Sequence, residues 1–78
     1  GYVWSPLWED LGATIADVTG GALGETAQAV FDSRVRDLIP MGRPQSPEEI
    51  AAMAVFLCSH SARNITGQII GVDGGVTI

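Results

Sequence analysis

The longest unbroken apolar stretch is residues 50–58, Ile-Ala-Ala-Met-Ala-Val-Phe-Leu-Cys, directly preceded by Ser46-Pro47-Glu48-Glu49. Serine at the cap, proline at the first helical position and glutamate three residues after the cap mark a helix start, because each satisfies or removes a free amide of the first turn. A helix is therefore predicted from Pro47 to about Ser59. Its body is apolar on nearly every face, so burial on more than one side is expected. A second helix is predicted from about Glu25 to Ile39, where Ala27, Val30, Phe31, Arg34, Val35 and Leu38 recur at helical spacing and Pro40 supplies the stop.

Elsewhere the period changes. Residues 1–6 are an aromatic and β-branched run closed by Pro6, which reads as a strand end entering a loop. Gln68-Ile69-Ile70-Gly71-Val72 reads as a short strand before the Asp73-Gly74-Gly75 turn. Between Leu7 and Pro40 the pattern is irregular. Glycines at 12, 20, 21 and 24 are expected to break any continuous helix there, leaving two short helices around a flexible turn.

A helix apolar all round beside a strand apolar on both faces implies an α/β fold, since such strands occur mainly in parallel sheets covered by helices. One crossover helix and one or two strands cannot build that sheet. The expectation is the C-terminal part of a doubly wound, Rossmann-type domain, incomplete by itself. Size points the same way: a 78-residue chain is marginal as an independent domain. One cysteine (Cys58) and one histidine (His60) offer neither a disulfide nor a metal staple. The start at Gly1, without methionine or a signal-peptide pattern, adds to the expectation of a piece of a longer chain.

Charge narrows the class of partner. Four arginines, no lysine and nine acids give a net charge of −5, which opposes a nucleic-acid or anionic-membrane role, because both need clustered positive charge. The longest apolar run falls well short of the roughly 18 residues a membrane helix requires. A soluble protein of the reducing cytoplasm is expected.

Four segments, Gly-Tyr-Val-Trp-Ser-Pro (1–6), Pro-Met-Gly-Arg-Pro-Gln-Ser-Pro-Glu-Glu-Ile-Ala (40–51), Asn-Ile-Thr-Gly-Gln (64–68) and Val-Asp-Gly-Gly (72–75), occur in an order and at spacings that resemble the short-chain dehydrogenase/reductase family. The match spans nearly the whole chain and is weakest at residues 9–38, which correspond to that family's variable substrate loop. The resemblance implies a Rossmann-type sheet and an NAD- or NADP-dependent oxidoreductase that moves a hydride between the nicotinamide and a small-molecule carbonyl or secondary alcohol. It divides the chain into a cofactor-side strand exit (1–6), a substrate loop or lid (7–40) and the last helix and edge strand (46–75).

By the same resemblance, Gly1, Val3 and Ser5 are the cofactor-binding residues. Gly1 matches the glycine after the sixth strand, at the carboxyl edge where dinucleotides bind. The backbone at Val3 matches the position that holds the nicotinamide carboxamide. Ser5 stands where the family usually carries threonine, and it keeps the hydroxyl. Such contacts set which ring face meets the substrate. The family's catalytic set, a tyrosine with a lysine four residues on and a serine, is not in this chain: there is no lysine, and Tyr2 is followed four residues later by Pro6. No residue here is therefore expected to be catalytic. Gly20-Gly21-Ala22-Leu23-Gly24 lacks the spacing of a phosphate-binding loop and reads as a hinge. The remainder of the dehydrogenase chain would be the first partner, and the last helix and strand would form contacts in a homotetramer.

Other residues carry plainer readings. Trp4 and Trp8 could line an apolar substrate pocket or pack beneath the loop, and both readings stand. Glu9 and Asp10 read as a solvated helix start, His60 as a charge favourable to a helix end, and Cys58 as a small core residue. Asn64-Ile65-Thr66 matches a glycosylation acceptor by accident of the 64–68 segment. Arg43 is expected to pair with an acid or backbone carbonyls. A different reading of the whole is a non-catalytic assembly piece that docks through its apolar helix.

Overall fold

The computed structural model describes residues 1–78. Three α-helices follow one another, α1 (Pro6–Val18), α2 (Ala27–Leu38) and α3 (Pro47–Leu57), with a 3-10 turn at His60–Ala62. Helices α1 and α2 pack together, whereas α3 meets only the 3-10 turn. The result is elongated, 50 × 23 × 18 Å with a radius of gyration of 15.6 Å, against about 11.5 Å for a compact domain of this length. A single core does not gather the whole chain.

Local signals explain the helix ends. Thr26 caps α2 by accepting the Ala29 N–H at 3.1 Å. At α3, the Ser46 hydroxyl accepts the Glu49 N–H at 3.1 Å while Glu49 Oε1 accepts the Ser46 N–H at 2.9 Å, the reciprocal arrangement of a capping box. Helix α1 ends in a Schellman motif: the Gly21 N–H bonds the Ala16 carbonyl at 2.9 Å, and the Gly20 N–H bonds Asp17 at 3.2 Å. The left-handed backbone at Gly20 (φ 63°) and Gly21 (φ 83°) suits glycine because it carries no Cβ. The expected hinge is a hydrogen-bonded turn.

The core lies on α2. Phe31, Val35 and Ile39 form its centre, with Tyr2, Trp8 and Val76 packed against them. Val30 and Phe31 are the largest fully buried side chains. The predicted stripe of α2 is thus buried at Val30, Phe31 and Val35, half-buried at Arg34 and exposed at Leu38.

Five expectations differ from what the chain shows by itself. The α/β layering expected of the whole domain is not formed within these residues, which are helical and hold no strand. Gln68–Val72 makes no backbone hydrogen bond, and Ile69 is fully exposed. A strand requires a partner ladder, and the other extended segment, at the N-terminus, is bonded to Gln45 instead. Helix α3 has no buried residue, with Val55 70% exposed, since no other α-helix packs against it. Cys58, at its end, is exposed for the same reason. Gly12 does not break a helix. It is buried inside α1, where a Cβ would sit 2.8 Å from the Ala27 carbonyl oxygen, so its missing side chain lets α1 and α2 approach closely.

Candidate functional site

The segment that carries Gly1, Val3 and Ser5 is held from two sides. On one side its aromatic residues pack on α2: Trp4 and Trp8 meet Phe31 edge-on with ring centroids 5.2 and 5.1 Å apart, and Tyr2 lies 5.3 Å from Trp8 and 6.3 Å from Phe31. Such tilted and T-shaped pairs match the favourable geometry of aromatic quadrupoles. Both tryptophans thus pack on Phe31, and Trp4 keeps 36% of its surface exposed.

On the other side stands Gln45. Its side-chain Oε1 accepts the Tyr2 N–H at 2.9 Å, its own N–H donates to the Tyr2 carbonyl at 2.8 Å, and its Nε2 donates to the Arg43 carbonyl at 3.2 Å. Gln45 is buried. Gly1 lies directly against it, so closely that a Cβ at position 1 would overlap Gln45 Oε1. In the sequence Gln45 stands out only as one letter of the 40–51 motif. No spacing marks it, because its bond to Tyr2 spans 43 residues.

The C-terminal turn completes the site. Gly74 (φ 64°) presents its carbonyl to the Met41 N–H at 3.0 Å and would bring a Cβ within 2.8 Å of Gln45 Nε2. Asp73 organises this turn by accepting the Gly75 N–H at 2.9 Å and the Thr77 hydroxyl. The three segments 1–2, 41–45 and 73–75 thus meet around one glutamine. Beside them a groove of about 530 Å³ is lined in part by Met41, Arg43, Glu49, Met53, Val72 and Thr77.

The structure places the candidate residues as follows. Gly1 is exposed at the surface of the Gln45 contact, and Val3 is half-buried with a main chain that makes no hydrogen bond within the chain. Ser5 is the N-cap of α1, but its hydroxyl makes no capping bond, and its extended backbone (φ −159°, ψ 168°) leads straight into Pro6. The three therefore lie on one short segment, and polar groups of Val3 and Ser5 remain uncommitted. Arg43 finds the acid it was expected to need: its Nη1 lies 3.1 Å from Glu49 Oε2. His60 lies in the 3-10 turn, and no cluster of metal-ligating side chains exists in the chain.

Two carboxylates titrate below their ordinary range. Asp73 is lowered chiefly by the Thr77 hydroxyl and then by the Gly75 N–H. Glu49 is lowered chiefly by the Ser46 backbone N–H, with the Ser46 side chain and Arg43 acting in the same sense. A carboxylate with a folded pKa below its unfolded one stabilises the fold above the unfolded value, and that stability is lost as the pH falls through the folded one. The melting temperature is therefore expected to hold level from pH 7 to about 5 and to decline below about pH 4. In Asp73→Asn the acid decline should be shallower; a curve parallel to wild type would show that the Asp73 turn does not contribute.

The comparisons with known proteins agree over most of the chain. Residues 16–77 match the family model described as enoyl-(acyl carrier protein) reductase. The chain is 34% identical over 76 residues to L-2,3-butanediol dehydrogenase of Corynebacterium glutamicum, which covers 97% of this chain and 28% of that protein. It is 41% identical over 76 residues to the NAD-dependent glycerol dehydrogenase of Listeria innocua, covering 96% of this chain and 30% of that one. Over 42 residues, 54% of this chain and 16% of the relative, it is 55% identical to galactitol 2-dehydrogenase (L-tagatose-forming) of Cereibacter sphaeroides. The chain spans less than a third of the length of these relatives. No solved structure matches it.

Proposed function

The chain belongs to the short-chain dehydrogenase/reductase family, and from that premise we propose that it acts as part of an NAD- or NADP-dependent oxidoreductase whose substrate is a small carbonyl compound or secondary alcohol. In this reading residues 1–5 hold the nicotinamide end of the cofactor, residues 7–40 cover the substrate, and α3 with residues 68–72 joins the rest of the enzyme and a second subunit. Relatives named for butanediol, glycerol and galactitol support a small hydroxylated substrate.

The observation that carries the cofactor assignment is the contrast along residues 1–5. Tyr2 is bonded at both main-chain groups, whereas Val3 has both free and Ser5 has its hydroxyl free. Such a segment suits a polar, planar carboxamide, because its donors and acceptors are already placed and need no reordering on binding. When bound, the nicotinamide supplies the hydride chemistry. Within this chain, Val3 offers the main-chain contacts, Ser5 the hydroxyl, and Trp4 an aromatic surface beside them. No side chain here supplies the catalytic proton, which falls to residues outside the segment.

The exposed apolar side chains of α3, among them Ile50, Val55 and Phe56, support an assembly role for that helix within a tetramer. No helix of the chain is long and apolar enough to cross a membrane. Replacing Ser5 by alanine in the complete enzyme removes one hydroxyl contact and should weaken cofactor binding by roughly five- to tenfold. Titration of NAD(H) and NADP(H) by fluorescence reads the effect. An unchanged dissociation constant would remove Ser5 from the site.

A further inference from the structure

We propose that Gln45 is a positioning residue for the cofactor segment, acting through Tyr2 on the main chain of Val3. The inference rests on the cofactor role of residues 1–5 but adds to it a residue far away in sequence. Its basis is a two-point clamp. Gln45 Oε1 accepts the Tyr2 N–H and the Gln45 N–H donates to the Tyr2 carbonyl, at 2.9 and 2.8 Å. Both peptide groups of Tyr2 are thereby fixed, and the Tyr2 carbonyl belongs to the same peptide plane as the Val3 N–H. Fixing one end of that plane therefore aims the other.

The glutamine is itself held rigidly. It is only 7% exposed, its Nε2 bonds the Arg43 carbonyl, and no buried side-chain polar atom of the chain lacks a partner. Directly after it, Ser46 begins α3 with a capping box, and Arg43 is tied to the same Glu49. On its open sides, Gly1 and Gly74 leave no space for a Cβ beside the glutamine amide. The main chain of Val3 is thus referred to the start of α3, while its neighbouring side chains Tyr2 and Trp4 rest on Phe31 of α2. A clamp of this kind acts on cofactor affinity, because it removes conformations of the 1–5 segment that could not bind.

The test uses the full-length dehydrogenase carrying this segment. Wild type is first titrated with NAD(H) and NADP(H). In Gln45→Met, which keeps the side-chain length and the main-chain bond to the Tyr2 carbonyl but loses the side-chain hydrogen bonds to the Tyr2 N–H and the Arg43 carbonyl, one arm of the clamp is released and the dissociation constant of the preferred cofactor should rise about tenfold. The kcat at saturating cofactor should remain within about twofold, because nothing that touches the substrate has changed. Gln45→Glu keeps the acceptor for the Tyr2 N–H and should lie closer to wild type than Gln45→Met does. A lowered melting temperature with unchanged cofactor affinity in Gln45→Met would overturn the proposal and leave Gln45 a structural residue. A wild type that bound neither cofactor would overturn the functional reading and this inference with it, whereas failure of the Gln45 variants alone would leave that reading intact. Should Gln45→Met not fold, hydrogen exchange of the wild type decides: the Tyr2 and Gln45 amides should be protected while Val3 exchanges freely, and rapid exchange at Tyr2 would overturn the clamp.

Discussion

Phe31→Ala should cost about 3–5 kcal/mol, the range for removing a fully buried aromatic ring whose cavity cannot collapse. Phe31 is 1% exposed and is the hub on which Tyr2, Trp4 and Trp8 all pack. Only nine residues of the chain are buried, so few other contacts can take up the loss. Total stability for a chain of this size is about 4–12 kcal/mol, and the substitution would remove a large share of it. Urea unfolding followed by tryptophan fluorescence measures the change directly, because both tryptophans touch the ring that is lost. The midpoint should fall sharply and the emission of the folded state should shift to longer wavelength. Phe56→Ala provides the comparison: Phe56 is 43% exposed on α3, and its truncation should cost under about 1 kcal/mol in the isolated chain. Equal costs at the two positions would mean that the core is not centred on Phe31.

The expected effect on the N-terminal segment proposed to hold the cofactor follows from the same packing. Tyr2 and Trp4 are anchored on Phe31, so Val3 between them is held on one face by aromatic contacts and on the other by the Gln45 clamp. Loss of the ring would free the side-chain anchor while leaving the clamp. Stability and the geometry of residues 1–5 are therefore coupled through Phe31 and, on the proposal above, separable through Gln45.

What was legible in the sequence was local. Ser46, Pro47 and Glu49 announce α3 through chemistry confined to one helical turn, and the structure holds that capping box with both bonds made. Pro40 and the stripe from Ala27 to Leu38 bound α2 closely, because a proline stop and a 3.6-residue period act within the segment that shows them. The motif order likewise carried the family, since it depends on residue types and spacing alone. What was not legible depends on distant partners. Whether Gln68–Val72 forms a strand is decided by a neighbouring ladder, and no segment of this chain offers one. Whether α3 is buried depends on what lies against it, and its apolar body reports only that something could. The acid for Arg43 sits six residues on and becomes identifiable once the capping box turns Glu49 toward it. Gln45 is the extreme case, a polar letter inside a recognised motif whose role depends on a residue 43 positions away.

Gly12 reverses an expectation drawn from propensity, and so yields the second large effect. In an exposed helix interior, replacing glycine by alanine should stabilise by about 1 kcal/mol. At Gly12 the added Cβ would stand 2.8 Å from the Ala27 carbonyl oxygen and 2.9 Å from its Cα. Backbone cannot swing aside as a flexible side chain can, so α1 and α2 must separate, and overpacking of this kind costs about 1–3 kcal/mol. For alanine the two terms oppose each other, and the balance should be a loss of about 1 kcal/mol. For valine the propensity gain shrinks while two further methyl groups enter the same gap, and the loss should reach about 3 kcal/mol. Gly20, whose open surroundings would admit a Cβ freely but whose φ is 63°, separates strain from crowding: alanine there should cost about 1 kcal/mol through backbone conformation alone. Thermal unfolding of the three variants measures the ranking, with Gly12→Val lowest. If Gly12→Ala melted higher than wild type, the close crossing of α1 and α2 would be excluded, and the helical pair could no longer be the rigid support on which the N-terminal aromatic residues rest.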